Sequence, residues 1–600
     1  MRDDKSYWSR RYPGTRLGRR AFLGGSAGLG LGAAALGLVG CGDDDDEDDA
    51  EEPAAPATEA ATEAPTEAPT DAPAADAPKQ GGSYIWEGDG IRFVPAVVDP
   101  HLAGSGGVRL WLFAGNIAVR RNFDGSALTP ELFSAWETVD GIEHIVTIRP
   151  GVKTHDGALT GGRLFNTEDV AVNLERIAGL LAPDGDASAY WMANLLQGLV
   201  SAEAVDDSKV TVSFSSPLAF PWGLTLPYAS LMPVENFESG GLQNAQPDTI
   251  SGTGPWRLSE YKTDESFTAD RHPDYWDGAP YMDNMIWRPT GDRVSQASSF
   301  IQGNGTFFNN PSKVERETIL DAREGSQLFH WAGSTCAYTI FNCRSGATFE
   351  DKRLRRAMHL ATNYVANQEA FWGKGFFHLG GVLNNAHAEG ISQEELLTLP
   401  GWRVDKTEDL KTANELIAAA GFPEGEGLSF EFMGNTVWEA YGYNFSIRQM
   451  DDWRTAFPKI DVEGRLSADP TAHIEALTNG GFDVSHLPIG SSSPASSDLG
   501  QYRTGAGNNF SGYANPELDA VIARADAKYI PSEASEDVLE AQRILLEDMP
   551  QLIDHRLHQS GIYAPDVRGF PILPGGTEPL AGNFENWDTI ARHAADLWLA

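Results

Sequence analysis

From Asp43 to Gln80 the chain contains no aromatic residue: a run of acids opens the stretch, and Ala/Pro/Thr/Glu repeats such as "ATEAPTEAPTDAPAADAP" fill it. A segment of this kind cannot offset its own ordering entropy, and its prolines and like charges keep it extended. As a random coil its 38 residues span about 35 Å. A packed body can therefore begin only near Gly81. The residues from there to Ala600 are too many for one ordinary core, so the body divides into at least two lobes. With 41% hydrophobic and 10% aromatic residues, the chain has enough apolar surface to build them.

Charge narrows the partners. Residues 1–42 carry seven Lys/Arg against two acids, and residues 43–80 carry fourteen acids against Lys79, so the formal charge of −40 leaves −32 on residues 81–600. A surface this acidic repels phosphate backbones and argues against nucleic acid. The same charge serves solubility in a salty or crowded exterior, or draws in cationic ligands; charge alone does not choose.

Ahead of the tether, residues 1–20 are basic, Arg19-Arg20 precedes Ala21-Phe22-Leu23, and an uncharged run reaches Gly40. Seven glycines from Gly24 to Gly40 make that run weakly apolar for a membrane span. The pattern resembles a twin-arginine export signal, which is excluded from the fold. Gly24-Gly25-Ser26-Ala27-Gly28 matches the serine-hydrolase elbow only in its letters, because an elbow needs a strand, a sharp turn, a helix and triad partners. Leu38-Val39-Gly40-Cys41 resembles a bacterial lipobox, in which cleavage falls before the cysteine and its thiol carries a diacylglycerol; a retained signal anchor is the alternative. At about 0.8 kcal/mol per buried methylene, two or three acyl chains moor a protein without a span. This reading gives a lipoprotein signal peptide (1–40), a lipid-anchored linker (41–80) with Cys41 as its lipidation site, and an extracytoplasmic body.

The body is written in mixed α/β grammar. "GSYIWEGD" reads as a strand, and "HIVTIRPGVKTHDG" as a strand closed by turns at Pro150-Gly151 and Asp156-Gly157. Val170, Leu174, Ile177 and Leu181 repeat at helical spacing, with Asn166 or Thr167 placed to cap the first turn. Leu354, Ala357, Met358 and Ala361 share a helix face, as do Leu410, Ala413, Leu416, Ile417 and Ala420, whose helix ends at Gly421 with Pro423 beyond. "SEDVLEAQRILLEDMP" is a further helix stopped by Pro550. "STCAYTIFNC" reads as one strand; its ends lie about 23 Å apart, beyond a disulfide. Cys336 and Cys343 are then two small buried residues, a local turn that joins them being the alternative. No repeat of fixed period is present, which disfavours a solenoid or propeller.

These segments carry a resemblance. "PELFSAWETVDGIEHIVTIRPGVKTHDG...FNTEDVAVNLERI" (130–177), "SGTGPWRLSEYKTDESFTADRHPDYWDGAPYMD" (251–283), "YTIFNCRSGATFEDKRLRRAMHLATN" (338–363), "DLKTANELIAAAGFPEGEG" (409–427) and "NNFSGYANPELDAVIARA" (508–525) resemble, in order, the solute-binding protein family 5 of ABC importers, the extracellular peptide- and nickel-binding lipoproteins. The resemblance implies an α/β, two-lobed periplasmic-binding-protein-like fold (type II, cluster C) with a hinge between lobes. Lobe I would take residues 81–332 and return at 556–600, with lobe II at 333–555. It also implies a monomeric receptor that closes over a small, peptide-like or other organic solute and delivers it to a membrane ABC permease.

No chemistry in the sequence points to an enzyme or a cofactor. A Walker motif and HExxH are absent. His555 and His558 suit a metal only on a helix; on a returning strand they face opposite ways. His155 in "THDG" reads as a structural turn residue. The ligand candidates are Trp86, Trp222 and Trp372, as large rigid contact surfaces, with Trp372 favoured because glycines suggest an exposed loop. Trp256 stands in the tight "SGTGPWRL" passage, which the family places near its cleft. Glu87 and Asp89, where family members line the cleft, could pair with a ligand cation; solvated loop acids are the alternative. The peptide-binding members' ammonium-binding aspartate follows "FD". Here "FDVSHLPIGSSSPASSDLGQYRTG" (482–505) lacks that tryptophan-aspartate pattern and leaves Asp498 and a hydroxyl-rich stretch starting at Ser491. Two other classes remain open: a ligand sensor feeding a membrane signalling protein, and an extracytoplasmic hydrolase on the same scaffold.

Overall fold

The computed structural model describes residues 77–87, 94–102, 107–121, 127–182, 190, 193–225, 227–289, 292–383, 387, 389–435, 443–467, 470–490, 495–569 and 594–600. The expected signal peptide, Cys41 and the expected linker as far as residue 76 lie outside them. Among the described residues, no helix is long and apolar enough to cross a membrane.

Strand β1 (Ser83–Glu87) opens the body, and β2 (Val119–Arg121) with β3 (Leu128–Pro130) forms a short ribbon. Next, β4 (Phe133–Thr138), β5 (Glu143–Ile148), β6 (Leu199–Ala204) and β7 (Lys209–Phe214) make an antiparallel sheet in the order β4-β5-β7-β6. In β5 and β7 every second residue is buried, the period of a sheet with one covered face. The covering helix is Thr167–Ile177. Asn166 caps it by accepting from Asp169 N–H, Asp169 reciprocates, and Val170, Leu174 and Ile177 face inward. The helix stops there, so Leu181, which continues the spacing, is 46% exposed instead.

The chain then lays down β8 (Trp256–Lys262), β9 (Ser266–Arg271), β10 (Asn284–Arg288) and β11 (Phe307–Asn309). After the long β12 (Gln327–Phe341) come β13 (Ser429–Asn435), β14 (Asp461–Ser467), β15 (Val484–Gly490) and finally β16 (Gln551–Tyr563). These nine strands and β1 form one ten-stranded sheet, in the order β14-β13-β15-β12-β16-β11-β1-β10-β9-β8.

The middle of that sheet is the antiparallel pair β12–β16. Its register runs from Gln327↔Tyr563 to Ala332↔His558, slips, and resumes at Cys336↔Arg556. Hydrophobic packing changes at the same place. One cluster runs from Phe341 to Leu552 and a second from Cys336 to Ile553, whereas a third lies between Ala118 and Leu231 and a fourth joins Ala297, Phe300, Phe308 and Ile319 to Ile562. The predicted helices at Lys352–Ala361, Thr407–Ala419 and Ser535–Asp548 all pack into the first cluster. Cys336 is buried and Cys343, just past the end of β12, is partly buried; both are free thiols. Burial raises their pKa, to about 12 and about 11.

Candidate functional site

The "SGTGPWRL" passage is shaped by contact as well as by turn chemistry. A Cβ on Gly252 would sit 1.7 Å from Ala114 O, and one on Gly254 would sit 2.5 Å from Phe113 O, at the end of the helix Val108–Ala114. Only glycine lets the two backbones approach so closely. His155 fastens the loop: its N–H donates to Gly252 O at 2.9 Å, its Nδ1 accepts from Gly252 N–H at 3.1 Å, and Nε2 lies 3.1 Å from Gly254 O. With Nδ1 accepting, Nε2 must carry the proton. Burial, aided by nearby His272, lowers the pKa of His155 to about 3, so the ring stays neutral. Thr253 Oγ1 donates to Asn116 Oδ1, tying the passage to the buried Asn116–Glu131 pair.

Candidate ligand residues gather at the carboxyl ends of parallel strands in both parts of the large sheet, where α/β sheets form binding crevices. Glu87 ends β1, which runs parallel to β10 and β11. It is not a solvated loop acid: it is 5% exposed and accepts from Arg288 Nη2 at 2.6 Å. On the other side, β13 runs parallel to β14 and β15. Asp498 lies eight residues past the end of β15, in the short helix Ala495–Leu499.

Asp498 is 7% exposed, and its Oδ2 lies 2.6 Å from Nε2 of the buried His387. Cys336 and Arg556 face each other at the register slip, where the Arg556 charge favours and the Asp498 charge opposes ionisation of the Cys336 thiol. Arg556 is 4% exposed, and burial lowers its pKa to about 10. Its backbone N–H donates to His378 O at 2.9 Å. Sequence reading missed His387 and Arg556 because their partners lie far away along the chain. It also missed Asp554, a wholly buried carboxyl on β16 that accepts from Thr339 Oγ1 at 2.9 and 3.0 Å and from Gln449 Nε2 at 3.3 Å. Burial raises its pKa well above the usual carboxylate range despite those hydrogen bonds.

The tryptophans are placed unequally. Trp86 and Trp256 are fully buried, Trp86 between Phe113 and Phe307 with the Arg109 guanidinium 5.9 Å from its ring. Trp222 is half-buried in a short turn of 3-10 helix. Trp372 corrects the expectation of an exposed loop: it is 4% exposed, and its carbonyl accepts from Arg316 Nη2 at 2.7 Å. The Arg316 guanidinium also stacks 3.6 Å from the Phe376 ring. The glycines around Trp372 thus accommodate Arg316 rather than solvent, a Cβ on Gly373 falling 3.0 Å from its Nη2. Asp89 and Ser491 lie outside the described residues, as do the side chains of His555 and His558. Among the described residues, no group of three or more His, Cys, Asp or Glu is placed to hold a metal.

With this geometry in hand, comparison with known proteins assigns the family. The profile of the bacterial extracellular solute-binding proteins, family 5 Middle, matches residues 127–510. The chain belongs to that family. The glutathione-binding protein GsiB of Salmonella typhimurium is 24% identical over 451 residues, covering 72% of this chain and 81% of that one. Solved structures of binding proteins share the fold. The periplasmic binding protein DppA from Helicobacter pylori, in complex with the peptide STSA, aligns with a TM-score of 0.69 at 18% identity over 87% of this chain and 98% of its own. The oligopeptide-binding protein AppA from Bacillus subtilis, in complex with a nonapeptide, aligns with a TM-score of 0.68 at 16% identity over 87% and 100%. The family fold is the two-lobed α/β architecture of periplasmic binding proteins, and the β12–β16 pair is the stretch of this chain common to both parts of its large sheet.

Proposed function

We propose that this protein is a lipid-anchored extracytoplasmic receptor of an ABC importer that captures a peptide-like or glutathione-like solute by hinge closure and passes it to a membrane permease. The observation that carries the reading is the central strand pair: hydrophobic clusters lie on one side or the other of the register slip between Ala332 and Cys336. Two separately packed bodies joined by a slipped strand pair can rotate about it while each keeps its core. On this reading lobe I comprises residues 81–332 and 556–600, and lobe II residues 333–555. Glu87 with Arg288 stands at one wall of the cleft, and Asp498 with His387 at the other. A ligand touching both walls binds only the shut form and so draws the equilibrium toward it.

A solute carrying both ammonium and carboxylate groups suits walls that hold Glu87, Asp498, Arg288 and Arg556. The relatives agree with that chemistry: GsiB is a glutathione-binding protein, and DppA is in complex with a peptide. The experiment is native mass spectrometry of the full lipoprotein purified without refolding, followed by a thermal-shift panel of reduced glutathione and short peptides. A ligand at a hundred times its dissociation constant adds about 2.7 kcal/mol of stability. Retained mass matching a small peptide, reproduced by a shift with the same compound, supports the reading; no shift with any member of the panel defeats it. Replacing Cys41 with serine should move the protein from the membrane fraction to the soluble one, and unchanged fractionation would rule out the anchor.

A further inference from the structure

The turn between β4 and β5 is rigidly built. Val139 N–H donates to Glu143 O at 2.9 Å, and Asp140 Oδ1 accepts from the N–H groups of Ile142 and Glu143 at 3.0 and 2.9 Å. Gly141 O accepts from Leu218 N–H at 3.0 Å and lies 3.1 Å from His144 Nε2. Gly141 itself has φ +81, a left-handed conformation that already favours glycine.

The space beside Gly141 is filled from far along the chain. A Cβ on Gly141 would fall 2.5 Å from Cδ1, 2.8 Å from Cγ and 3.1 Å from Cε1 of Tyr529, so the tyrosine ring rests directly on the glycine backbone. Tyr529 follows the helix Pro516–Asp526, and its neighbour Lys528 is anchored to Asp537 at 2.6 Å. Both partners are thus mounted on firm supports. The residues that flank the contact in sequence, Val139, Ile142 and Ile530, are 53%, 38% and 43% exposed, an apolar rim beyond the contact itself.

Gly141 belongs to the part of the chain before β12, and Tyr529 to the part between β12 and β16. Neither the hairpin nor the helix needs the other to fold: the hairpin is satisfied by its own hydrogen bonds and by Leu218, and the helix by its Asn515 cap and its place in the cluster running from Phe341 to Leu552. A contact that builds neither part acts on how the two parts sit together. We propose that the Gly141–Tyr529 contact is a latch that forms when the two lobes shut and stabilises the shut state without ligand. The proposal rests on the hinge reading given above. Its consequence is quantitative: apparent affinity is intrinsic affinity scaled by the fraction of protein in the binding-competent form, so a latch of this kind sets how much solute the receptor retains.

The test is a spin-label distance measurement on the full lipoprotein in detergent, with labels at Glu137→Cys and Ser532→Cys, both exposed positions. Unliganded protein should show a short-distance population. Tyr529→Ala should lower the ratio of short to long distances about fivefold, the scale of one aromatic contact or a modest coupling. Gly141→Ala, which wedges a methyl against the ring, should do the same. Tyr529→Ala is the deciding variant because it leaves the turn intact. A short-distance population that neither variant changes overturns the latch while sparing the hinge. A single narrow distance in all three proteins overturns both.

Discussion

Gly252 shows what one atom decides at the residue scale. Its Cβ would meet Ala114 O at 1.7 Å, a distance that no rotamer change relieves because both partners are backbone. Gly252→Ala should therefore cost at least about 3 kcal/mol, as a strained overpacking, measured as a lower urea midpoint. His387 and Asp498 present a different case: a buried pair whose members are 111 residues apart. His387→Ala removes the donor from a buried carboxylate and should destabilise by about 1–3 kcal/mol in the same measurement. Asp498→Asn keeps the shape and removes the charge. If the carboxylate receives a ligand ammonium, glutathione affinity should fall about tenfold or more, as for a lost charge-assisted hydrogen bond, while the melting temperature moves little. Unchanged affinity would place the aspartate's role in the fold alone. His155 and Trp256 stood out in the sequence, one as a turn residue and one in a glycine-rich passage, and the structure buries both beside that passage. His387 and Arg556 carried no such signal, since their neighbours in sequence say nothing of the strands and helices brought against them.

Local periodicity was a reliable guide to elements where one face is buried and a cap closes the end. The helix Thr167–Ile177 begins at the predicted asparagine because Asn166 and Asp169 satisfy each other's backbone N–H groups. Asn166→Ala should cost about 1 kcal/mol, read as a shift in thermal midpoint, and no shift would show that the reciprocal bond contributes nothing. Its far end departs from the spacing: Gly179, at φ +77, ends the turn before Leu181 can join the face. Spacing alone cannot see that stop when the leucine continues the pattern. "STCAYTIFNC" was read as a strand, and most of it is, but β12 begins at Gln327 and closes at Phe341. What gives β12 its importance is its slipped pairing with β16, and pairing between segments more than two hundred residues apart is invisible to any local window.

For the whole molecule, buried histidines couple folding to acidity. His101 has its pKa lowered to about 4, and His155, His359 and His486 to about 3, burial being the largest cause in each. In the unfolded chain a histidine titrates near 6.5. Between about pH 6.5 and pH 4 the unfolded state therefore binds more protons at these four sites, and stability falls as pH falls. Asp554 acts in the opposite sense: its folded pKa is raised, so its burial disfavours folding above the unfolded carboxylate pKa, and that penalty lessens as pH falls through the folded value. The histidines held below their usual value, which include His378 and His473 as well, outnumber the raised carboxyls Asp452, Asp526 and Asp554, so unfolding takes up protons near pH 5. Unfolding free energies from urea titrations at pH 7, 6 and 5 should show this decline, and equal values at all three would refute it.

The sequence alone supplies the expectation that a packed body begins near Gly81, because a proline-rich acidic stretch without aromatic residues has nothing to bury. It also determined the α/β class, since periodicity and caps are written in neighbouring residues, and five ordered motifs were enough to indicate the family. Tertiary structure alone decided which polar groups meet. The bonds of Asp498 with His387 and of Trp372 with Arg316, and the contact of Gly141 with Tyr529, form only when distant segments are brought together. Local signals arise from the geometry of a few consecutive peptides, whereas a binding site arises from the meeting of strand ends and loops whose separation along the chain encodes no distance in space.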